Sequence, residues 1–468
     1  MTEETKKKIL LIYPPSPVMN REDRCQQPTK ELLVIPPLPP SDLMYLAAVS
    51  EKAGLEAIIR DYSAEGNFEQ DLVEIQPDYL LLNVATPTLE NDLAVCETAK
   101  KICPSIVTIA KGAAFLTVAF DVMYAHKNLD IAILGEAEKT LEEILSGKPY
   151  PEILGIYYRD DFMVKFTGAR PFIENLDEIP FPARHLVDNN KFRRPDNDKV
   201  QAVIKVSRGC PYHCFFCLAT PVSGAKPRRR SAENIIEEIK ECVEKYGITN
   251  FLFWSDIFNV DKSWTMDLCQ KIIDSGLKIT WSANTRADTA DEEMAEMMYK
   301  AGCRLVSIGV ESGSQEMLDK MGKRITLDDV RLTVKIFKKY GIRIYNYFVI
   351  GLPWENEETA EETIEFAIEL DSDFISFYTA VPLPGTKFFE YAKENNLLDS
   401  ETSYKSAYYY PSVNTHYLTK ERVFELHKSA IRRFYLRPGY ILKMLLRIRT
   451  WTEFRNYFKA GINVLLRR

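Results

Sequence analysis

Strand-like apolar runs alternate with helical segments along two separate blocks of this 468-residue chain, and the alternation restricts the folds that it can adopt. The first block contains five such runs: KILLIYPP (8–15), LEAIIRDY (55–62), DYLLLNVATPT (78–88), SIVTIAKGAA (105–114) and LDIAILGEAE (129–138). This pattern predicts an α/β domain over residues 1–155, built on a doubly wound, Rossmann-like parallel sheet.

An irregular, proline-rich stretch interrupts the alternation, and its composition predicts an interdomain linker over residues 156–198. Six further strand-like runs follow, separated by helical patterns: QAVIKVS (201–207), NFLFWS (250–255), KITWSAN (278–284), RLVSIGV (304–310), IRIYNYFVIG (342–351) and DFISFYTAV (373–381). They predict a partial (β/α)6 barrel over residues 199–390, with an active site at the carboxyl ends of its strands. Residues 391–468 are predicted to form a helical C-terminal extension.

The composition is typical of a globular protein, with 46% hydrophobic and 27% charged residues. No run approaches the roughly 18 uninterrupted apolar residues of a membrane-spanning helix, and the N-terminus lacks the apolar region of a signal peptide. Six of the nine cysteines are scattered singly, as reduced cytosolic thiols are. These features predict a cytoplasmic protein, and the formal net charge of −7 argues against general affinity for nucleic acid.

The remaining three cysteines lie close together in the segment SRGCPYHCFFCLAT (207–220), directly after the first strand of the second block. Three thiolates at the spacing of Cys210, Cys214 and Cys217 can hold three corners of a [4Fe–4S] cluster and leave the fourth iron open to another ligand. Structural zinc is the alternative, with His213 as a fourth ligand. His213 is adjacent to Cys214 in the chain, which makes its geometry for zinc awkward.

The cysteine segment resembles the cluster loop of the radical S-adenosylmethionine (SAM) superfamily, and the resemblance extends over residues 200–390. It includes the aromatic residue before the last cysteine and the segments FWSDIF, WSANTRAD, SIGVESGS and FVIGLPWE. The resemblance implies a SAM site formed by Phe216, Asp256, Asn284, Arg286, Glu311, Gly351 and Pro353. It implies that Glu311 binds the ribose, that Asn284 and Arg286 contact the methionine carboxylate, and that the backbone around Gly351 and Pro353 meets the adenine. Asp256 stands where the family often has a Gly-Gly-Glu that receives the SAM amino group.

The strand ends of the first block carry the turns TPT, KGAA and GEAE, whose small residues let a ligand approach the backbone. Ordinary turns are the alternative interpretation. The block resembles the cobalamin (B12)-binding domain fused to one radical SAM subfamily, which implies cobalamin contacts at Thr86, Thr88, Gly112, Gly135 and Glu136. None of the five histidines has an aspartate two positions before it, so the Asp-x-His-x-x-Gly motif that supplies a lower cobalt ligand is missing.

Together the resemblances imply a cobalamin-dependent radical SAM enzyme that generates a 5′-deoxyadenosyl radical and methylates an unactivated carbon of a small-molecule or lipid substrate. An external electron donor of the flavodoxin or ferredoxin type is implied as well, and no catalytic residue is assigned. One alternative is a non-methylating relative that performs cyclisation, oxidation or carbon–carbon bond formation. Another is a cluster-containing binding or sensor protein, which would not need the SAM-site residue Glu311 or the segment FVIGLPWE.

Two further segments concern the substrate and partners. The long loop over residues 16–40 carries Arg24 and Cys25, which either reach substrate or cobalt or anchor the loop. Residues 431–468 contain ten lysines and arginines against one acidic residue, Glu453. Their helical spacing of apolar residues predicts either peripheral contact with an anionic membrane surface or a helical lid packed on the barrel.

Overall fold

The computed structural model describes residues 6–17, 19–23, 25–28, 38–194, 196–398 and 411–466, which form two compact units. The first unit includes residues 40–188 and 218–224, and the second includes most of the chain from residue 189 onward. The first 170 residues contain β1 (Lys8–Tyr13), β2 (Met19–Glu22), β3 (Cys25–Pro28), α1 (Ser41–Lys52), β4 (Glu56–Asp61), α2 (Phe68–Ile75), β5 (Tyr79–Asn83), α3 (Leu89–Ile102), β6 (Val107–Lys111), α4 (Phe115–Ala125), β7 (Ile131–Ile133), α5 (Glu138–Leu145), β8 (Ile156–Asp160) and β9 (Met163–Phe166).

The first unit is doubly wound, as predicted. Its sheet has the order β4-β1-β5-β6-β7-β8-β9, and the first five of these strands are parallel. Alternate residues of β1 enter two different cores, with Ile9 and Leu11 on one face and Leu10 and Ile12 on the other. Both faces are therefore covered by helices, which explains why the strands read as continuous apolar runs.

Two strands of this sheet lie inside the predicted linker. β8 and β9 form an antiparallel hairpin that continues the sheet beyond β7. β8 has buried residues only at Ile156 and Tyr158, and three of the four residues of β9 are exposed. Strands this short give too few apolar positions for a period of two to be recognised in the sequence.

The second part of the chain alternates strands and helices in the predicted order. It contains β10 (Gln201–Lys205), β11 (Ser207–Arg208), α6 (Ala219–Ser223), β12 (Arg228–Arg229), α7 (Ala232–Tyr246), β13 (Asn250–Trp254), α8 (Lys262–Asp274), β14 (Thr280–Thr285), α9 (Glu292–Lys300), β15 (Cys303–Glu311), α10 (Gln315–Lys320), α11 (Leu327–Lys339), β16 (Arg343–Ile350), α12 (Glu357–Glu369), β17 (Phe374–Thr379), α13 (Lys387–Glu394), α14 (Lys420–Tyr435), α15 (Pro438–Arg447) and α16 (Trp451–Leu466).

The barrel is a six-stranded parallel sheet in the order β10-β13-β14-β15-β16-β17, which confirms the predicted partial (β/α)6 architecture. All six strands run in one direction, so their carboxyl ends meet at one end of the unit. One continuous apolar core joins the strands to the surrounding helices.

The C-terminal helices cover the edge strand β17. Tyr435 on α14 donates its hydroxyl to the Ile375 carbonyl at 2.6 Å and accepts the Ile375 N–H at 3.0 Å. Nε2 of His427 lies 2.9 Å from the Phe377 carbonyl. On the outer side of an edge strand, the backbone N–H and C=O groups have no neighbouring strand to bond with. The side chains of Tyr435 and His427 provide the missing hydrogen-bond partners.

Candidate active site

The three cysteines lie in the loop that leaves the carboxyl end of β10, on the face where a barrel of this kind carries its active site. Cys210 is buried, while Cys214 and Cys217 are partly exposed. Among the described residues, no group of three Cys, His, Asp or Glu side chains is arranged to hold a single metal ion. Three thiols carried by one loop are the donor set that a [4Fe–4S] cluster uses, so the residues present fit this group.

Backbone hydrogen bonds attach the cysteine loop to three other elements. Gly209, whose φ is +95°, donates its N–H to the Asp256 carboxylate at 2.6 Å. The Phe215 N–H donates to the Met321 carbonyl at 2.9 Å, and the Phe388 N–H donates to the Phe215 carbonyl at 3.0 Å. The loop conformation is therefore determined by the barrel around it.

Phe215 anchors the loop through its ring. Its centroid lies 4.6 Å from that of Trp354, 5.5 Å from that of Phe388 and 5.7 Å from that of Tyr391. The predicted residue, Phe216, is only partly buried against the core. Sequence reasoning missed the anchoring role of Phe215 because two adjacent phenylalanines give no indication of which ring points inward.

Asp256 follows β13 and lies beside the cysteine loop, as its hydrogen bond to Gly209 shows. A carboxylate can accept more than two hydrogen bonds, so this contact is compatible with the predicted role as an acceptor for an ammonium group. The role itself stays a prediction.

Arg286 is buried at the carboxyl end of β14 and joins the cysteine loop to the turn after α10. Its guanidinium lies 3.7 Å from the ring centroid of Tyr212, which stands between Cys210 and Cys214. Nε forms an ion pair with Asp288 at 2.6 Å, and Nη2 donates to the Arg324 carbonyl at 3.1 Å. The contacts in the structure are thus positioning contacts, and a contact with the SAM carboxylate stays a prediction.

Glu311 ends β15 in a strained conformation. Its φ is +73°, which is rare for a residue other than glycine, and strained residues of this kind are often found at active sites and ligand-binding sites. The carboxylate pairs with Lys323 at 2.8 Å, and both side chains are about nine-tenths buried. A Cβ at Gly309 would lie 2.5 Å from the Glu311 carboxylate, so any larger residue there would displace the charged ends of this pair.

Lys323 is a site residue that the sequence analysis missed. Burial lowers the pKa of its ammonium, but the Glu311 carboxylate and the Cys214 thiolate together raise that pKa above its ordinary value. Lys323 therefore places a positive charge beside both the predicted ribose-binding carboxylate and the cysteine loop. A single lysine in the segment MGKRIT has no pattern that sequence reasoning could have used.

The turn after β16 brings Gly351 and Pro353 to the same end of the barrel as the cysteine loop. Gly351 has a φ of +96°, and a Cβ there would lie 2.8 Å from Val423. Its N–H donates to the Glu355 carboxylate, which is fully buried. Burial raises the pKa of Glu355 to about 8, although the backbone N–H groups of Gly351 and Leu352 act in the opposite direction. Glu355 was also missed.

The predicted cobalamin turns follow β5, β6 and β7, which are neighbours in the first sheet, so they lie side by side at its carboxyl edge. A Cβ at Gly112 would lie 2.6 Å from the Val84 carbonyl, whereas Gly135, with a φ of +69°, has no other atom within 4 Å of such a Cβ. The Thr88 hydroxyl donates to Asp92 at 2.8 Å, and Glu136 accepts the Ile173 N–H at 2.6 Å. Compact turns beside open space fit a ligand with a large flat ring.

The hairpin of β2 and β3 lies within the loop over residues 16–40 and packs on these turns. Arg21 and Asp92 form a fully buried ion pair at 2.6 Å. The Gln26 amide oxygen accepts the Thr86 N–H at 2.6 Å. These contacts anchor the loop, as one of the two interpretations expected. Arg24 and the side chain of Cys25 lie outside the described residues.

Comparison with known proteins identifies both units. The family model of the radical SAM superfamily matches residues 204–367, and that of the B12 binding domain matches residues 36–145. An uncharacterised methyltransferase of Pyrococcus horikoshii is 33% identical over 435 residues, which cover 88% of this chain and 94% of that protein. The anaerobic magnesium-protoporphyrin IX monomethyl ester cyclase of Cereibacter sphaeroides is 24% identical over 419 residues, covering 86% and 68%.

The solved structure of TsrM, a radical SAM methyltransferase from Kitasatospora setae with cobalamin and a [4Fe–4S] cluster bound, has a similar fold. The TM-score is 0.66 at 18% identity, and the match covers 83% of this chain and 75% of TsrM. The matched domains decide between the alternatives for the cysteine loop in favour of the iron–sulfur cluster.

Proposed function

The chain belongs to the cobalamin-dependent radical SAM family, and on that premise we propose that it methylates an unactivated carbon of a small-molecule or lipid substrate. When bound, the cluster and SAM supply a 5′-deoxyadenosyl radical and cobalamin supplies a methyl group. The observation that carries the proposal is the convergence of the cysteine loop, Lys323 and the strained Glu311 at one end of the barrel.

We propose that Cys210, Cys214 and Cys217 hold the cluster and that Glu311 accepts hydrogen bonds from the SAM ribose. Lys323 would then offer its ammonium to the methionine carboxylate, because it lies beside both Glu311 and Cys214. Phe216, Asp256, Asn284, Arg286, Gly351 and Pro353 complete the proposed SAM site. The buried pairs keep these groups in place before SAM binds, which lowers the cost of ordering them.

The proposed cobalamin site is the carboxyl edge of the first sheet, with Thr86, Thr88, Gly112, Gly135 and Glu136 in its turns. Its support is the glycine at 112, where the backbone approaches Val84 closely, and the open space beside Gly135. The missing Asp-x-His-x-x-Gly motif predicts a cobalt without a histidine from that motif as its lower ligand.

The test is anaerobic incubation of reconstituted protein with SAM, methylcobalamin, a reductant and extracts of candidate substrates, followed by mass spectrometry of the small-molecule products. Methylation requires 5′-deoxyadenosine and S-adenosylhomocysteine in similar amounts, together with a product heavier by one methylene unit. Substrate-dependent 5′-deoxyadenosine without S-adenosylhomocysteine would contradict methyl transfer.

That second outcome corresponds to the other candidate function, a cyclisation or oxidation started by the same radical. The similarity to an anaerobic cyclase over 86% of the chain favours keeping this candidate. The two functions share every proposed cofactor, so only the products distinguish them.

We also propose an external one-electron donor of the flavodoxin or ferredoxin type. Its support is the partial exposure of Cys214 and Cys217, which leaves a short path for an electron to the cluster. The test is to add a flavodoxin and its reductase to the reconstituted protein and to follow the absorbance of the cluster. A decrease that requires the flavodoxin would support this partner, and no decrease would contradict it.

Finally, we propose that the C-terminal segment contacts an anionic membrane surface. None of the described helices is long and apolar enough to cross a bilayer. Trp451 and Leu446 are nevertheless 76% and 69% exposed, as an interfacial segment requires. Lys443, however, pairs with Asp371, and Arg447 pairs with Asp373. These two cations are directed toward the barrel, so only the other basic residues of the segment can contact a membrane.

A further inference from the structure

A cationic cavity of about 310 Å³ lies at the base of the barrel, at the amino ends of its strands. Asn250 and Thr280, which line it, are the first residues of β13 and β14, and Arg343 is the first of β16. The described residues that line the cavity include Arg194, Lys199, Arg304 and Arg343 but no carboxylate. The cavity is therefore suited to an anionic group.

Asp196 offsets only part of this charge. It forms ion pairs with Arg194 at 2.8 Å and with Arg343 at 2.5 Å, and its carboxylate is almost fully buried. Arg304 donates instead to the neutral carbonyls of Tyr299 and Cys303, both at 2.7 Å. The single negative charge of Asp196 is therefore smaller than the positive charge of the four basic residues that line the cavity.

An apolar groove of about 270 Å³ runs between α15 and α16. Met444 and Leu445 line it from α15, Tyr457 and Phe458 line it from α16, and Phe374 at the start of β17 closes its inner end. Its lining is almost entirely aliphatic and aromatic, so it is suited to a hydrocarbon chain.

The cavity and the groove have neighbouring lining residues at Arg343 and Phe374. The Arg343 guanidinium lies 5.8 Å from the ring centroid of Phe374, so one residue of the cavity contacts one of the groove. Tyr457 of the groove is close enough to Asp196 and Arg343 for both charges to affect its pKa, which burial and Asp196 raise to about 12. An anionic group and an apolar chain can therefore belong to one molecule.

The exposed surface of α15 and α16 is both apolar and basic. Leu442, Leu446 and Leu465 are between 59% and 69% exposed. Arg455 and Lys459 are exposed on α16. This surface is complementary to the interface of an anionic bilayer, where apolar side chains enter the acyl region and cations remain at the headgroups.

We infer that the base of the barrel binds an anionic phospholipid, with its phosphate among Arg194, Lys199, Arg304 and Arg343 and an acyl chain in the groove between α15 and α16. This inference rests on the membrane contact in the proposed function and assigns its ligand. The cavity lies at the amino ends of the parallel strands and the cysteine loop lies at their carboxyl ends. The lipid and the cysteine loop are therefore at opposite ends of the barrel. It anchors the enzyme and is not the molecule that reacts.

The experiment compares cosedimentation of full-length protein with vesicles of phosphatidylglycerol in phosphatidylcholine and with vesicles of phosphatidylcholine alone. We expect binding only to the anionic vesicles. The double variant Lys199→Glu, Arg304→Glu should lower the partition coefficient by about tenfold or more, because each cation near the surface contributes to attraction. Lys387→Glu is the matched control, since Lys387 is exposed on α13 at the other end of the barrel.

The groove is tested with Leu445→Ser, because Leu445 lines the groove and is 53% exposed, and this change should also weaken vesicle binding. The control is Leu332→Ser on α11, where the leucine is 57% exposed and lines neither the cavity nor the groove. Circular dichroism and SAM cleavage should stay unchanged in all four proteins. If the double variant Lys199→Glu, Arg304→Glu binds anionic vesicles as strongly as the wild type does, the proposed lipid site is wrong, although the proposed membrane contact is not contradicted. Absence of wild-type binding to anionic vesicles would overturn both.

Soluble sn-glycerol 3-phosphate provides the last arm, because a free phosphate ester has the same headgroup chemistry. We expect millimolar glycerol phosphate to compete only weakly with vesicles. Strong competition, combined with no effect of Leu445→Ser, would assign the cavity to a free phosphate ester and contradict the lipid.

Discussion

Glu311 and Lys323 illustrate how single residues determine this site. The pair is almost fully buried, so removing one partner leaves the other charge without compensation. Glu311→Ala should lower the free energy of unfolding by about 3 kcal/mol, and adding Lys323→Met should restore part of the loss. Urea unfolding of the two variants measures both effects. The exposed pair of Lys320 and Glu316 is the control, and its loss should cost less than about 1 kcal/mol.

Glu311→Ala should also weaken SAM binding by about 1 to 3 kcal/mol, because the ribose hydroxyl groups would lose their buried acceptor. Isothermal titration of reconstituted protein with SAM measures the difference. Unchanged affinity in a folded Glu311→Ala variant would remove Glu311 from the proposed ribose site.

Glu355 makes stability depend on pH. Its folded-state pKa is about 8, above the ordinary value of 4.5, so the folded protein holds a proton that the unfolded chain has released. The stabilisation is complete below about pH 4.5 and is lost as pH rises to about 8, with a slope of at most about 1.4 kcal/mol per pH unit. Glu355→Gln should flatten this slope. Denaturant unfolding from pH 5 to 8 tests it, and parallel slopes in both proteins would contradict the assignment.

At the scale of elements, the edge strand β17 depends on α14. Tyr435→Phe removes the hydroxyl that serves both the N–H and the carbonyl of Ile375, which should cost about 1 to 3 kcal/mol. Tyr417→Phe is a suitable control because Tyr417 is 68% exposed. Equal unfolding free energies for the two variants would show that α14 does not protect this edge.

The cysteine loop depends on elements far away in sequence. Phe215→Ala removes a ring that packs against Trp354, Phe388 and Tyr391, and should destabilise the protein by about 3 to 5 kcal/mol. Phe216→Ala should cost less because its ring is only partly buried. Thermal unfolding of the apo variants compares the two. A larger loss for Phe216→Ala would reverse the assignment of the anchor.

At the scale of the whole molecule, the succession of strands and helices along the chain and the class of both sheets could be predicted from sequence, because long apolar runs alternate with helical patterns. The strand-like runs at 78–88 and 342–351 contain the strands Tyr79–Asn83 and Arg343–Ile350. The hairpin of β8 and β9 was not predicted, because both strands are short and three of the four residues of β9 are exposed.

The candidate site shows the same division. Three cysteines in eight positions are a local pattern, so they could be found by reading the chain. Lys323 and Glu355 could not, because each acquires its role from burial beside groups that only the fold brings close. The excess of basic residues in the C-terminal segment could be read from the sequence. Which of them pair with acidic residues of the barrel, as Lys443 and Arg447 do, could not.

Electron paramagnetic resonance of the reduced, reconstituted protein, recorded with and without SAM, tests the central claim most directly. We expect a spectrum that changes when SAM is added, because three cysteine ligands leave one iron open, and chemical analysis of the same sample should give about four irons and four sulfides per chain. Both the iron and the spectrum should be lost in a variant with alanine at Cys210, Cys214 and Cys217. A cluster that survives in this variant, or a spectrum that SAM leaves unchanged, would contradict the account.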